Sequence, residues 1–184
     1  MQLRFDFVKS LQAAGVLLQL EDGRMPYIRL LKLLYIADRE LLAETAASVT
    51  GDRACAMKKG PVLSHVYSLI KGESSRSQEW FESIETQGYA VKLKRDRGRG
   101  RLSRGEIEKL VEVSERHRNQ DHWEISDLTH DFPEWRQHFP EGACSGSYAI
   151  PWQDILRAQG KEEMILAVEV EEAARRHLDE VFGE

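Results

Sequence analysis

The sequence has little cysteine and no long hydrophobic run. Its two cysteines, Cys55 and Cys144, lie far apart and neither belongs to a CxxC pair, so no zinc or redox spacing is present. No segment approaches the roughly 20 apolar residues that a membrane-spanning helix needs. Charged residues interrupt any apolar run at the start, which argues against a signal peptide. We therefore expect a cytoplasmic protein with no membrane partner.

Motifs for catalysis and for metal binding are also missing. The six histidines include no HExxH or other close metal spacing, and no serine sits in a GxSxG turn. Gly98-Arg99-Gly100 is too short for a phosphate-binding loop. Asp127 and His130 are spaced for a local hydrogen bond, but they are not a catalytic dyad by themselves. We expect a protein that is not an enzyme and that needs no metal and no cofactor.

The bulk composition predicts one globular domain over residues 1–184. Hydrophobic residues make up 41% and charged residues 31%, which is typical of a soluble helical protein with a substantial core. The formal net charge is -5. A protein with this charge is not built to coat nucleic acid, so such a partner is expected only through a local basic patch.

Residues 26–45, PYIRLLKLLYIADRELLAET, predict the helix around which the rest of the chain is arranged. Apolar residues cover most of its circumference, so other elements must surround it. Asp38 projects from the middle of the apolar side, and a buried carboxylate is costly unless it is hydrogen-bonded. As its partner we expect the free N–H groups of a second helix, which Gly60-Pro61 would begin.

The remaining pattern predicts a mainly α (α+β) fold, with further helices and a small β-hairpin. Alternation around Gln87-Gly88 predicts the hairpin over residues 80–94. A second hairpin or an extended loop is expected over residues 48–57. Ser103 and Glu106 fit a capping box that begins a helix. The further helices are expected over residues 3–20, 61–71, 103–118, 122–131, 152–158 and 161–182.

Residues 92–104 form a basic loop that contains glycine. Its candidate partner-contact residues are Arg95, Arg97, Arg99 and Arg101. One interpretation is a solvated loop, and the other is a contact patch for an acidic partner or for RNA. No aromatic residue is interleaved among these arginines, which argues against RNA.

The helix expected over residues 161–182 combines many acidic residues with a narrow apolar stripe. The stripe consists of Ala167, Val170, Ala174, Leu178 and Val181. We expect the stripe to dock on the protein's own core, as an amphipathic helix usually does. The alternative is that part of the helix stays undocked and binds a basic partner.

Three stretches carry a family signature. They are LLKLLYIADR at residues 30–39, TGD at 50–52 followed by MKKGPVLSHVY at 57–67, and LTH at 128–130 with Trp135. In this order they resemble the Panacea family, also called SocA-like antitoxin domains and often labelled phage-associated. The resemblance covers roughly residues 27–135 and leaves out a C-terminal helical extension at 151–182. The chain departs from the family pattern at Ala54 and Cys55, where many relatives place an aromatic residue, and at Lys59.

The resemblance implies a small, mostly helical domain with a β-hairpin that acts as an antitoxin. In a toxin–antitoxin system it would neutralise a toxin encoded beside it by direct binding. Family members are paired with unrelated toxins, so the toxin is not identified. Two alternatives remain: a proteolytic adaptor that delivers a toxin to an AAA+ protease, and a nucleic-acid-binding regulator that uses the 92–104 loop. The motif-core residues, structural or partner-binding, are Asp38, Lys59, Gly60, Pro61, Tyr67 and His130.

Overall fold

A computed structural model describes residues 3–182, without the side chains of residues 175, 179 and 182. Helices predominate in this range, and the predicted mainly α (α+β) class is confirmed. The helices are α1 (Phe7–Leu20), α2 (Tyr27–Thr45), α3 (Ser64–Lys71), α4 (Ser77–Phe81), α5 (Arg104–Arg116), α6 (His122–His130), α7 (Pro133–His138), α8 (Trp152–Ala158) and α9 (Met164–Phe182). The strands are β1 (Arg24–Pro26), β2 (Ala54–Met57), β3 (Gly60–Leu63), β4 (Ile84–Gln87), β5 (Ala90–Leu93) and β6 (Ser147–Ile150).

Helix α2 is the element that the others surround, as the sequence predicts. Helices α1, α5, α6 and α8 and strand β3 all contact it, and every residue from Leu30 to Asp38 is buried. The burial extends further than the pattern indicated, because Arg29 and Lys32 on the supposed polar side are only 5% and 1% exposed. Long basic side chains can be buried in this way when carbonyl or carboxylate oxygens accept their N–H groups.

Two small antiparallel sheets flank the helices. One has the strand order β1-β5-β4 and contains the predicted hairpin, with its turn at Gly88-Tyr89. The other has the order β3-β2-β6, in which Cys55 of β2 lies opposite Val62 of β3 and Ala149 of β6. Strand β6 was missed because its four residues follow a glycine- and serine-rich loop and have no partner nearby in sequence.

The helix predicted to begin at Pro61 is wrong at its start. Gly60–Leu63 forms strand β3, and α3 begins only at Ser64. All four residues of β3 are buried, so their apolar run fits a strand enclosed on both faces as well as a helix. The hairpin expected within residues 48–57 therefore lies over 54–63. The first helix begins at Phe7 rather than Leu3, because the Asp6 side chain accepts the Lys9 N–H at 2.9 Å and caps it.

Candidate functional site

The carboxylate of Asp38 is buried in α2, but its partners differ from the predicted ones. Its Oδ1 accepts the backbone N–H groups of Val49 at 2.8 Å and Thr50 at 3.1 Å, and its Oδ2 accepts the Thr50 hydroxyl. Asp38 thus fastens the loop after α2 onto the helix rather than meeting a helix start at Gly60-Pro61. Burial raises the pKa of Asp38 to about 6, although the hydrogen bonds from Thr50 act in the opposite direction.

Asp52 performs the capping role that the sequence assigned to Asp38. Its carboxylate accepts the backbone N–H groups of His65 at 3.0 Å and Val66 at 2.9 Å, at the start of α3. It also contacts Nδ1 of His65 at 2.7 Å. Asp52 was missed as a cap, because an N-cap residue is sought next to its helix and this one is 13 residues away from His65.

A second buried acid, Glu134, was also missed. It is fully buried and accepts the Tyr35 hydroxyl at 2.9 Å and the Arg39 Nε–H at 2.6 Å, so it ties α7 to the central helix. The Arg39 guanidinium lies 4.2 Å from the ring centre of Phe132. The pKa of Tyr35 lies well above its usual value. Burial is the main cause, and the nearby charge of Glu134 adds to it. This network ties α7 to α2, and the pocket that Tyr35 and Arg39 line has a volume of only about 20 Å³.

Gly60 and Pro61 allow β3 to approach α2 closely. Gly60 has a φ of +91°, and a Cβ atom there would lie 2.5 Å from the Thr129 hydroxyl and 2.7 Å from Lys32 Nζ. The Lys32 ammonium donates to the Pro61 carbonyl at 2.7 Å. Because Lys32 is almost fully buried, its pKa lies well below its usual value. A side chain at position 60 would therefore displace a buried amine.

A groove of about 200 Å³ opens between α2, the β2–β3 hairpin and α3. We call it the motif-core groove. Its walls are mostly apolar and include Tyr27, Leu31, Met57 and Val62. Its basic lining residues are the exposed Lys58 and Lys59 and the buried Lys32, and no acidic residue contributes to the lining. A groove of this kind favours an apolar group that carries negative charge.

The structure separates the six motif-core residues into two sets. Lys59, Gly60 and Tyr67 line the motif-core groove. Asp38, Pro61 and His130 do not line it. The His130 ring packs at an angle of 39° against Trp135, with 4.4 Å between the ring centres. Burial, together with the charge of Lys32, lowers the pKa of His130. The roles of all six residues in partner binding remain predictions.

The arginines of the 92–104 loop are mostly engaged with their own chain. The pairs are Arg97 with Glu82 at 2.7 Å and Ser83 at 2.6 Å, Arg99 with Gln19 at 2.7 Å, and Arg101 with Asp6 at 3.7 Å. Arg95 is exposed. These contacts hold the loop against α1 and the 82–83 turn. The guanidinium groups of these three arginines are therefore less available to a partner than the sequence indicated.

Helix α9 docks through a different face from the one predicted. Val168 is fully buried with Trp152 and Leu156 of α8, and Met164 and Ile165 pack beside them. The apolar stripe expected to face inward points outward instead. We define the outer stripe as Leu166, Val170, Ala174, Leu178 and Val181. Four of these side chains are 69%, 60%, 54% and 60% exposed, in the order Leu166, Val170, Leu178 and Val181.

Among the side chains that the structure describes, no group of three or more His, Cys, Asp or Glu is arranged to hold a metal ion. None of the described helices combines the length and the apolar character needed to cross a membrane.

Comparison with known protein families gives a match over the central part of the chain. A family model described as "Antitoxin SocA-like, Panacea domain" matches residues 30–136, which is more than half of the chain. No curated protein and no solved structure was found to match the chain. The matched segment runs from α2 to α7 and therefore contains the whole hydrogen-bonded core around Asp38, Asp52 and Glu134, while α8 and α9 lie outside it.

Proposed function

Because the chain belongs to the SocA-like antitoxin family with a Panacea domain, we propose that it neutralises a toxin by binding it directly. Family membership is the observation that carries this proposal. The arrangement of the described residues agrees with a binding module: the buried acids and cations are used to tie elements together, and exposed apolar surface lies on α9. A rigid core with a separate exposed surface is what a protein-binding domain requires.

Co-expression tests the proposal. The reading frames beside this gene are expressed singly and together with it in a bacterial host. We expect one neighbour to arrest growth alone and to be harmless with this protein, and the two proteins to co-purify. If every toxic neighbour remains toxic when the two are expressed together, the antitoxin proposal is wrong.

The same strains separate masking of the toxin from its degradation. In a pulse-chase measurement, masking leaves the lifetime of the toxin unchanged while growth is restored. A proteolytic adaptor instead shortens the lifetime of the toxin, and deletion of the responsible AAA+ protease abolishes rescue. We propose masking, since an exposed docking surface suffices for it. A shortened toxin lifetime would favour the adaptor alternative.

Within the matched segment we propose the motif-core groove as one contact with the partner, through Lys59 and Tyr67. We assign Asp38, Pro61 and His130 to structural support, because the hydrogen bonds of Asp38 and of the Pro61 carbonyl and the ring contact of His130 lie within the protein. Lys59 is exposed and lies 4.4 Å from the ring centre of Trp123, which is itself 48% exposed. Lys59→Glu should weaken toxin binding about tenfold, whereas Lys92→Glu, an exposed lysine on β5, should leave it unchanged. Equal effects of the two variants would remove the groove from the interface.

A nucleic-acid-binding role for the 92–104 loop is not favoured, since three of its arginines bond to their own chain. Charge reversal at these arginines would abolish such binding, and added salt would weaken it steeply. We expect no RNA or DNA binding at low salt in a filter-binding assay. Binding that the charge-reversed variant loses would support this alternative instead.

A further inference from the structure

Helix α9 has two apolar faces, and the protein covers only one of them. The inner face packs through Met164, Ile165 and Val168 against α8 and the end of α2. At 100° per residue, the outer stripe lies on the opposite side of the helix. Four of the eight large hydrophobic residues that the structure shows exposed belong to this stripe.

The outer stripe has the spacing of a helix-binding surface. Leu166, Val170, Ala174 and Leu178 follow one another at intervals of four residues, and Val181 continues the same side. With a rise of 1.5 Å per residue, the stripe extends over about 22 Å. This length matches four turns of a partner helix, and anchors at i and i+4 are typical of an amphipathic helix that packs against another.

The second half of α9 projects from the domain. After Glu172, which is 5% exposed, every side chain that the structure describes up to Val181 is exposed. A short helical segment is marginally stable in water when no tertiary packing supports it. A partner that packs along the stripe would therefore supply both apolar contacts and support for the end of the helix.

Charge decides which kind of partner fits. Residues 161–182 contain seven acidic and three basic residues. Glu169 and Glu180 lie along one edge of the outer stripe and Glu171 lies along the other, while Arg176 shares the first edge. Two copies of α9 packed stripe to stripe would bring these acidic edges together, which is unfavourable. A basic partner segment would instead pair with them.

We propose that the outer stripe of α9 binds a basic amphipathic helix of the toxin. This inference rests on the proposed antitoxin function and adds to it the place of contact and the chemistry of the partner. The apolar side chains of the toxin helix pack between Leu166 and Val181, and its lysines or arginines pair with the acidic edges. The surface lies outside the segment shared with the family, so it is suited to recognise one particular toxin.

The experiment uses the full chain and the co-expressed product of the neighbouring toxic reading frame. The test variant is Val170→Asp with Leu178→Asp, and the matched control is Val8→Asp with Leu20→Asp on α1, where both residues are 39% exposed. We expect the test variant to weaken binding about 30-fold or more and to lose growth rescue, since buried apolar anchors dominate such interfaces. The control should bind within about threefold of wild type. Circular dichroism should show both variants folded, because all four residues are exposed.

Charge is tested separately. Glu169→Lys with Glu180→Lys should weaken toxin binding, and Glu73→Lys, at an exposed site on the loop after α3, should not. Binding by wild type should fall as salt is raised from 50 to 500 mM. Equal binding by the two charge variants would overturn the assignment of a basic partner.

The outcomes distinguish this inference from the function on which it rests. If wild type neither binds nor neutralises the neighbouring product, the antitoxin function is wrong and the inference fails with it. If wild type neutralises the toxin and the α9 variant does so equally well, only the inference is wrong. A dimer of this chain in light scattering, lost in the Val170→Asp, Leu178→Asp variant, would show that a second copy covers the stripe and would also overturn it.

Discussion

Replacing Asp38 with asparagine should change how stability depends on pH. The asparagine carbonyl can still accept the two backbone N–H groups of the loop after α2, so the geometry of the site is preserved. The charge is removed. Because burial raises the pKa of Asp38 to about 6 in the folded protein, against 3.8 in a solvated chain, the folded state holds this proton more tightly than the unfolded state.

The sign follows from this order of pKa values. The contribution of Asp38 to stability is fully present below the unfolded pKa and is lost as the pH rises through the folded pKa. Each pKa unit corresponds to about 1.4 kcal/mol, so the full change is about 3 kcal/mol. Most of it, about 2 kcal/mol, falls between pH 4 and pH 7.

Urea unfolding of wild type and Asp38→Asn at intervals from pH 4 to pH 7 measures this effect. The difference in unfolding free energy between the two proteins should move by about 2 kcal/mol in favour of the variant as the pH rises. Asp22→Asn, at an exposed turn after α1, is the control and should follow wild type at every pH. If Asp38→Asn also runs parallel to wild type, the carboxylate is not a buried group with a raised pKa.

Three further substitutions test the buried network. Glu134→Ala leaves a partly buried guanidinium and a buried phenol without their acceptor and should cost about 3–5 kcal/mol in urea unfolding, whereas Glu79→Ala in an exposed ion pair should cost less than about 1 kcal/mol. Equal costs would contradict the network. Gly60→Ala should destabilise by at least about 1 kcal/mol more than Gly88→Ala, since both have positive φ but only Gly60 is crowded. If the two alanine variants are equally stable, the close approach of β3 to α2 is not as described. Asp52→Ala should cost about 1–2 kcal/mol and increase hydrogen exchange in the first turn of α3; unchanged protection there would show that this carboxylate is not the cap.

Local rules of sequence were sufficient for much of the fold. The apolar spacing of residues 26–45 identified α2 as a buried helix, and the alternation around Gln87-Gly88 identified the β4–β5 hairpin. The capping box of Ser103 and Glu106 is also present. Each of these depends on neighbours within a few residues, where helix and strand periodicity and capping operate. The family signature was likewise contained in short stretches of sequence.

The candidate site depends on contacts that local sequence patterns do not predict. The sequence indicated that Asp38 is buried and needs donors, but its donors are known only once the loop after α2 is packed against the helix. Glu134 contacts Arg39, 95 positions away in the chain, and the sequence near either residue does not indicate this pair. Long-range partners of buried charges follow from packing, because any nearby donor of the right geometry satisfies the same acid.

Residue spacing is enough to specify α9 as an amphipathic, acidic helix, since helical periodicity depends on nothing else. Which side of the helix faces the domain follows instead from packing. Val168 and its neighbours fill the space beside Trp152 and Leu156, and this contact turns the longer apolar stripe toward solvent. A helix with two apolar faces can dock through either one, and the shape of the receiving surface determines which face packs against it.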